Sequence, residues 1–258
     1  HTESTSYEID RHISEAMHRG SGIYAIDDSA LAEINPDLIL TQELCEVCAV
    51  SYSQVEVSVR KLEGDVDVIS LEPTTLDGIL ETIVEIGDAA GAPLEAGELS
   101  GSLRKRIDRV SEMTSSSSYK PKVLSLEWLD PPFCGGHWIP EMIGYAGGVE
   151  AVSLRGSPSR EIKWEEAVAT SPDLVILMVC GFDLEKTATE FQSLSKNKNW
   201  GSDFWGTFKG DTYIVDGSSY FSRPGPRIVD GLEILAEIIQ PEIFPRTRSN
   251  SDWIKILK

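Results

Sequence analysis

One short pattern occurs twice in this chain, and it constrains the fold more than any other feature. NPDLIL at residues 35–40 is matched by SPDLVI at residues 171–176, and a short helical pattern precedes each copy. In both copies the proline ends the helix, the aspartate turns the chain, and the apolar run has the composition of a strand buried in a parallel sheet. A repeat spaced roughly 135 residues apart predicts two similar α/β lobes.

A long amphipathic helix is predicted between the two copies. Residues 94–113 carry apolar side chains at spacings of three and four, and a run of serines follows at 115–118. About 20 helical residues span about 30 Å, which is long enough to bridge two lobes. The predicted division is an N-terminal lobe at 1–93, a connecting helix with its serine-rich end at 94–118, and a C-terminal lobe at 119–258.

Apolar periodicity and turn residues predict the other elements. Further helices are expected at 8–19, 28–34, 76–90, 164–170 and 227–239, and one starts at Pro140 and ends near Gly147. Strands are expected at 38–41, 66–71, 123–126, 174–179 and 212–216. Two prolines, Pro131 and Pro132, are expected to stop the chain from forming a strand and to begin a loop.

Composition excludes some classes of partner. The formal net charge is −19, which argues against nucleic acid and anionic membrane surfaces because both require basic patches. No apolar run approaches the roughly 20 residues of a membrane span, so no membrane insertion is expected. The four cysteines are too few for a disulfide scaffold. A monomer is the predicted state.

The stretch from 126 to 138 is the strongest candidate for a binding site. It follows a predicted buried strand and contains three aromatic side chains, a thiol, an imidazole and two adjacent glycines. Open α/β sheets bind ligands beyond the carboxyl ends of their strands. Aromatic and polar groups around a Gly-Gly pair favour a flat, partly apolar ligand. The alternative is that the aromatic residues are ordinary core and that Cys134 is a small buried hydrophobe.

Three motifs resemble those of a known family. They are PDLILTQELCEVC at 36–48, EWLDPPFCGGHW at 127–138 and YFSRPGPR at 220–227. Together they resemble the class III substrate-binding proteins of ABC importers, in the branch that binds cobalamin and iron–siderophores, and the cobalamin-binding members are the nearer match. The resemblance runs from about residue 7 to about residue 244.

The resemblance implies an α/β fold with two Rossmann-like lobes, joined by one long helix, and a ligand cleft between them. It implies no enzymatic activity. The ligand is expected to be a cobalamin or a related planar metal chelate, carried as cargo and not as a catalytic cofactor. An ABC importer would be the partner and the periplasm the compartment.

The expected ligand contacts come from four loops. Carried over by position, they are Gln42, Cys45, Cys48, Trp128, Pro132, Phe133, Cys134, Gly135, Gly136, His137, Trp138, Cys180, Gly181, Phe182, Tyr220, Phe221 and Arg223. The aromatic side chains supply flat apolar area against a corrin or porphyrin ring. Arg223 can pair with an amide or a carboxylate of the ligand.

Two departures from the family pattern stand out. The βα unit that usually opens the N-terminal lobe is expected to be missing, either because the sequence is trimmed or because the lobe is completed differently. Importer-docking members carry an acidic residue on each lobe, and Ser222, at the expected C-terminal position, is not acidic. The absent acidic residue and the reduced-looking thiols favour a second hypothesis, in which the protein is a stand-alone intracellular carrier or sensor on the same fold, with a cytoplasmic location.

Two Cys and His pairs allow metal chemistry. Cys45 and Cys48 form one pair and Cys134 and His137 the other, and each has the spacing found in tetrahedral zinc sites. A structural zinc, a reversible disulfide, and thiols that only line a pocket are all open readings. His137 could also ligate cobalt or heme iron, because neutral imidazole suits both metals.

Overall fold

Two β-sheets organise the molecule. The computed structural model describes residues 4–18, 25–42, 52–60 and 66–256. The helices of this part are α1 (Ser6–His18), α2 (Asp28–Ile34), α3 (Tyr52–Val59), α4 (Leu76–Ala89), α5 (Pro93–Ser115), α6 (Ile139–Tyr145), α7 (Trp164–Thr170), α8 (Leu184–Leu194), α9 (Ser202–Thr207), α10 (Gly217–Tyr220) and α11 (Ile228–Ile239). The strands are β1 (Leu38–Thr41), β2 (Asp67–Ser70), β3 (Lys122–Leu129), β4 (Pro132–Cys134), β5 (Val149–Glu150), β6 (Arg160–Glu161), β7 (Leu174–Leu177), β8 (Asp211–Val215) and β9 (Trp253–Ile256).

The smaller sheet pairs β1 with β2 in parallel. The larger sheet has the order β6-β4-β3-β7-β8-β9, and β5 also pairs with β3. Its centre is parallel, since β3, β7 and β8 run in one direction. Towards the edges, β4 pairs antiparallel with β3, β6 antiparallel with β4, and β9 antiparallel with β8. The predicted α/β class is confirmed.

The larger sheet is covered on both faces. On one face, side chains of α4, α5, α6 and α11 pack into a core with Val123 and Ile176. On the other face, side chains from α7, α8 and α9 pack against Leu124, Leu126 and Leu177. The near-continuous apolar composition of β7 follows from this arrangement, because a strand covered on both faces has no solvent side.

The repeated sequence pattern forms the same local structure twice. Asn35 and Ser171 end helices α2 and α7 in the left-handed conformation, with φ of 46° and 48°. Each then leads through Pro-Asp into a parallel strand, β1 in one copy and β7 in the other. Both helices have the predicted bounds.

Helix α5 is the predicted long helix. Its 23 residues span roughly 35 Å. Leu103, Ile107 and Val110 are buried against the helices on one face of the larger sheet. Arg106 forms ion pairs of 2.6 and 2.8 Å with Asp230 and Glu233 of α11, so the helix is held by charge as well as by apolar packing.

Helix α1 lies against the larger sheet, although the predicted division assigns residues 1–93 to the N-terminal lobe. The amide and hydroxyl groups of Ser6 both donate to the buried Glu190 of α8. Ile9 packs on the core face that includes Leu126. The domain boundaries themselves stay a prediction.

Strand β3 ends before the two prolines, as predicted, but the prolines do not begin a loop, so that part of the prediction is wrong. β3 extends to Leu129, and Pro132 opens β4, which returns antiparallel to β3 with Leu129 opposite Pro132 and Trp128 opposite Phe133. A proline is tolerated as the first residue of a strand, because its missing N–H leaves no ladder bond unmade there. The predictions also lacked helices α3, α8, α9 and α10 and strands β5, β6 and β9.

Candidate functional site

A small cavity lies where the carboxyl ends of β3 and β7 meet the end of β1. Its volume is about 100 Å³. The lining residues are Gln42, Glu127, Gly136, His137, Trp138, Ile139, Ser159, Met178, Cys180, Phe221 and Ser222. The cavity therefore brings together six of the residues predicted from the sequence: Gln42, Gly136, His137, Trp138, Cys180 and Phe221.

Hydrogen bonds fold the Gly-Gly pair back over the end of β3. Gly135 donates from its amide to the carbonyl oxygen of Ser125 at 3.1 Å, and Gly136 donates to Oε2 of Glu127 at 3.1 Å. A Cβ on Gly136 would lie 2.1 Å from the backbone nitrogen of Ser159. Glycine is required here because two backbone segments touch.

His137 is held in the left-handed conformation by a neighbouring segment. Its φ is 52°. Its amide donates to the carbonyl of Ser157 at 2.6 Å, and its carbonyl accepts from the amide of Gly156 at 2.9 Å. Both partners belong to residues 151–159, which we call the strap. The strap thus holds His137 in a backbone conformation that costs a non-glycine residue about 1–2 kcal/mol.

The His137 ring faces the cavity. Burial lowers the pKa of the imidazole, so its neutral form predominates at pH 7. Its Nδ1 atom is buried and has no hydrogen-bond partner among the described residues. A buried nitrogen without a partner is costly in a folded protein and therefore requires an explanation.

Trp138 and Phe221 form an apolar wall of the cavity. Nε1 of Trp138 donates to the carbonyl of Phe221 at 2.9 Å, and both residues are buried. The Trp138 ring lies 5.8 Å from the His137 ring, centroid to centroid. The wall is thus rigid, and its indole nitrogen is already satisfied.

Glu127 is the charged cavity residue that the sequence-based contact set omits. Side chains of a strand alternate between its two faces. Along β3, Val123 packs on the face that carries α4 and α6, while Leu124 and Leu126 pack on the opposite face. That alternation places Ser125 and Glu127 with Val123, and applying it to the motif could have found Glu127. Ile139, Ser159, Met178 and Ser222 were also missed.

Several predicted contact residues lie on the other face of the sheet. Cys134 is buried in that core, with its sulfur 3.5 Å from the carbonyl oxygen of Arg160. The rings of Trp128 and Phe182 lie 5.5 Å apart in the same layer. Lys186 sits over the Phe182 ring. These side chains pack in the core. For Cys134 this matches the alternative, stated from the sequence, that it is a small buried hydrophobe.

The remaining predicted contacts lie around the cavity without lining it. Pro132 and Phe133 form β4. The hydroxyl of Tyr220 donates to Asp252 at 2.9 Å. Gly181 and Arg223 are exposed. A part for these residues in ligand contact stays a prediction.

Metal binding by the cysteines is not decided by the structure. No group of three or more His, Cys, Asp or Glu side chains arranged to hold a metal lies within the described ranges. Cys45 and Cys48 fall outside those ranges, so the zinc and disulfide hypotheses stay predictions.

A buried carboxyl group lies beneath the Gly-Gly loop. Glu150 accepts from the hydroxyl of Ser125 at 2.7 Å and from the amide of Val152 at 3.3 Å. Burial is the largest influence on this group and raises its pKa to about 7. Because the carbonyl oxygen of Ser125 also accepts a hydrogen bond from the Gly135 amide, Glu150 is linked through Ser125 to the loop that carries His137.

The chain belongs to the periplasmic binding protein family, whose model matches residues 24–202. This confirms the family predicted from the three motifs, and the protein is accordingly a substrate-binding protein and not an enzyme. No curated protein matches the sequence. In the part of the chain that the structure describes, none of the helices combines the length and apolarity needed to cross a membrane.

Solved structures share the fold at low sequence identity. A periplasmic heme-binding protein from Pseudomonas aeruginosa superposes with a TM-score of 0.71 at 16% identity, covering 95% of this chain and 86% of that one. An ABC transporter substrate-binding protein from Listeria monocytogenes EGD-e gives 0.68 at 17%, covering 83% and 80%. The periplasmic vitamin B12 binding protein of Vibrio cholerae gives 0.62 at 14%, covering 88% and 82%.

Proposed function

We propose that this protein captures a cobalamin or a related planar metal chelate at the cavity between β1 and the ends of β3 and β7, for uptake by an ABC-type importer. The observation that carries the proposal is the His137 imidazole, which is kept neutral and has a buried nitrogen without a partner among the described residues. Neutral imidazole is a ligand for cobalt and iron. Family membership and the heme- and B12-binding relatives support the same class of ligand.

The apolar wall fits the body of such a ligand. Trp138 and Phe221 present rigid aromatic surface beside His137. A macrocycle placed against them would bury flat apolar area, while the imidazole approaches its metal from one side. The metal is part of the cargo, so the protein has only to bind and orient it.

Glu127 favours a corrin over a heme. A carboxyl oxygen accepts hydrogen bonds from amides, and two carboxyl groups held close together disfavour each other's ionised form. Cobalamins carry amide side chains around the ring, whereas the porphyrin of heme carries carboxylates. Since Glu127 lines the cavity, we expect tighter binding of the amide-bearing ligand. Heme is the second candidate, because His137 would ligate its iron equally well.

The test is retention of colour after desalting. The purified protein is mixed with aquacobalamin or with hemin, passed through a desalting column, and its visible spectrum is recorded. We expect about one aquacobalamin per chain, with quenched tryptophan emission, and less hemin. If neither chelate is retained and elemental analysis finds zinc, the proposal fails and the zinc hypothesis takes its place.

His137→Ala tests metal ligation in the same assay. We expect loss of the spectral shift that accompanies imidazole coordination and about a tenfold weaker affinity. His12→Ala is the matched control, since His12 lies on α1 with its ring against the carbonyl of Glu8, outside the cavity. Equal spectra for the two variants would contradict a ligating role.

A further inference from the structure

We propose that Arg155 is a positioning residue, which holds the strap against α4 and α6 and so fixes the His137 imidazole in the cavity. This goes beyond the proposed function, because it concerns how the site keeps its shape independently of a ligand. Its test needs no ligand.

The strap reaches His137 through backbone contacts alone. Gly156 and Ser157 bond to the carbonyl and amide of His137, and Ser159 touches Gly136. The left-handed conformation of His137 is maintained only while these contacts persist. Whatever anchors the strap therefore also anchors the imidazole.

Arg155 is the charged anchor in the middle of the strap. Its guanidinium lies 2.6 Å from Oε1 of Glu141, in the first turn of α6. The neighbouring Leu154 is 73% exposed, so apolar packing stabilises this part of the strap very little. The ion pair is thus the main side-chain contact there.

The partner of Arg155 is itself locked in place. The Glu141 side chain is only 3% exposed, and its Oε2 accepts from the amide of Leu76, at the start of α4, at 2.8 Å. The Arg155 side chain is 55% exposed, but its loss would leave the buried carboxylate without a compensating charge, so the arginine is preferred at this position. One carboxylate therefore joins the strap, α6 and α4.

A second carboxylate extends the contact to α5. Asp77 of α4 lies 3.9 Å from Arg155 and 2.6 Å from Arg104 of α5. Both partners of each of these pairs are partly exposed, so these pairs contribute less than the pair with the buried Glu141 carboxylate. They nevertheless place Arg155 where α4, α5 and α6 meet, so a shift among those helices would move the strap and the His137 ring with it.

The test measures hydrogen exchange at the amides of His137 and Gly156, with no ligand present. Arg155→Ala should release the strap and break the hydrogen bonds that these two amides donate. Exchange at both amides should become about tenfold faster.

Glu141→Gln tests whether Arg155 acts through its ion pair. Glutamine can still accept from the Leu76 amide, but it loses the ion pair with Arg155. If the ion pair holds the strap, this variant should speed hydrogen exchange at the same two amides.

Arg248→Ala is the control for a general loss of stability. Arg248 pairs with Glu233 at 2.7 Å and with Asp230 at 3.3 Å, away from the cavity. It should leave the two exchange rates unchanged. Faster exchange in both strap variants supports the proposal. No change in either strap variant, or equally faster exchange in Arg248→Ala, would overturn it whether or not a chelate binds.

Discussion

The two copies of the Pro-Asp pattern have the same backbone and different surroundings. Asn35 and Ser171 differ by 2° in φ, and both precede a parallel strand. β7 is buried along its whole length between β3 and β8, whereas β1 pairs with β2 and is only partly buried. Leu40 is 43% exposed, while Ile176, its counterpart, is fully buried.

The comparison distinguishes the turn geometry, which nearby residues determine, from burial, which distant parts of the chain determine. A helix end followed by Pro-Asp determines the turn, because the constraints act within a few residues. Burial depends on which strands and helices arrive from elsewhere in the chain. The stability that each copy contributes should therefore differ even though the local geometry does not.

The largest effect should come from truncating matched positions in the two strands. Ile176→Ala should lower the free energy of unfolding by about 4 kcal/mol, because it leaves a cavity in a core covered on both faces. Leu40→Ala should cost about 1 kcal/mol or less, since its side chain is already partly in water. Urea unfolding of both variants measures the contrast. Equal losses would mean that the copies are equally important to stability.

A smaller effect concerns two carboxyl groups: the buried Glu150 in the larger sheet and the exposed Glu72 beside the smaller sheet. The pKa of Glu150 is raised from 4.5 to about 7, so folding favours its protonated form. Its contribution to the free energy of unfolding is complete below pH 4.5 and is lost as the pH rises through about 7. The free energy of unfolding should therefore fall by about 3 kcal/mol over this range. Glu150→Gln should remove that dependence from the unfolding free energy.

Glu72→Gln provides the matched control for this pH dependence. Glu72 follows β2, is exposed, and accepts from the hydroxyl of Ser70. The slope of stability against pH should match wild type in this variant. A wild-type slope in Glu150→Gln as well would show that another group causes the dependence.

The smallest effect tests the shared geometry itself. Glycine adopts positive φ without steric cost, so Ser171→Gly should stabilise the protein by about 1 kcal/mol and Asn35→Gly by about half as much, because asparagine tolerates this conformation better than serine. Thermal unfolding measures both. Destabilisation at either site would indicate that the side chain there matters more than the backbone.

Much of the fold could be predicted from the sequence, because its signals are local. The bounds of α2, α7 and β1 follow from the repeated pattern, and α5 follows from its apolar spacing. The β3–β4 hairpin could not be predicted, since a Pro-Pro pair usually ends a strand and only the pairing with β3 shows that Pro132 begins one. The position of α1 depends on a contact with Glu190 that is 184 residues distant.

Only part of the candidate site could be predicted, because the direction of each side chain also depends on how the strands pair. The motif pointed to His137 and Trp138, which line the cavity. It also suggested Cys134, which faces the opposite core, and it left out Glu127, which faces the cavity. Composition identifies the loop, but only the alternation along β3 and the hairpin geometry determine which side chain faces the cavity.

The central claim is that a planar metal chelate binds at the cavity beside His137. It is tested most directly by the anomalous scattering of cobalt in crystals grown with aquacobalamin. The account predicts one cobalt peak per chain, within coordination distance of a His137 ring nitrogen and facing Trp138. A peak elsewhere on the molecule, or none in crystals of a protein that retains the chelate in solution, would contradict it.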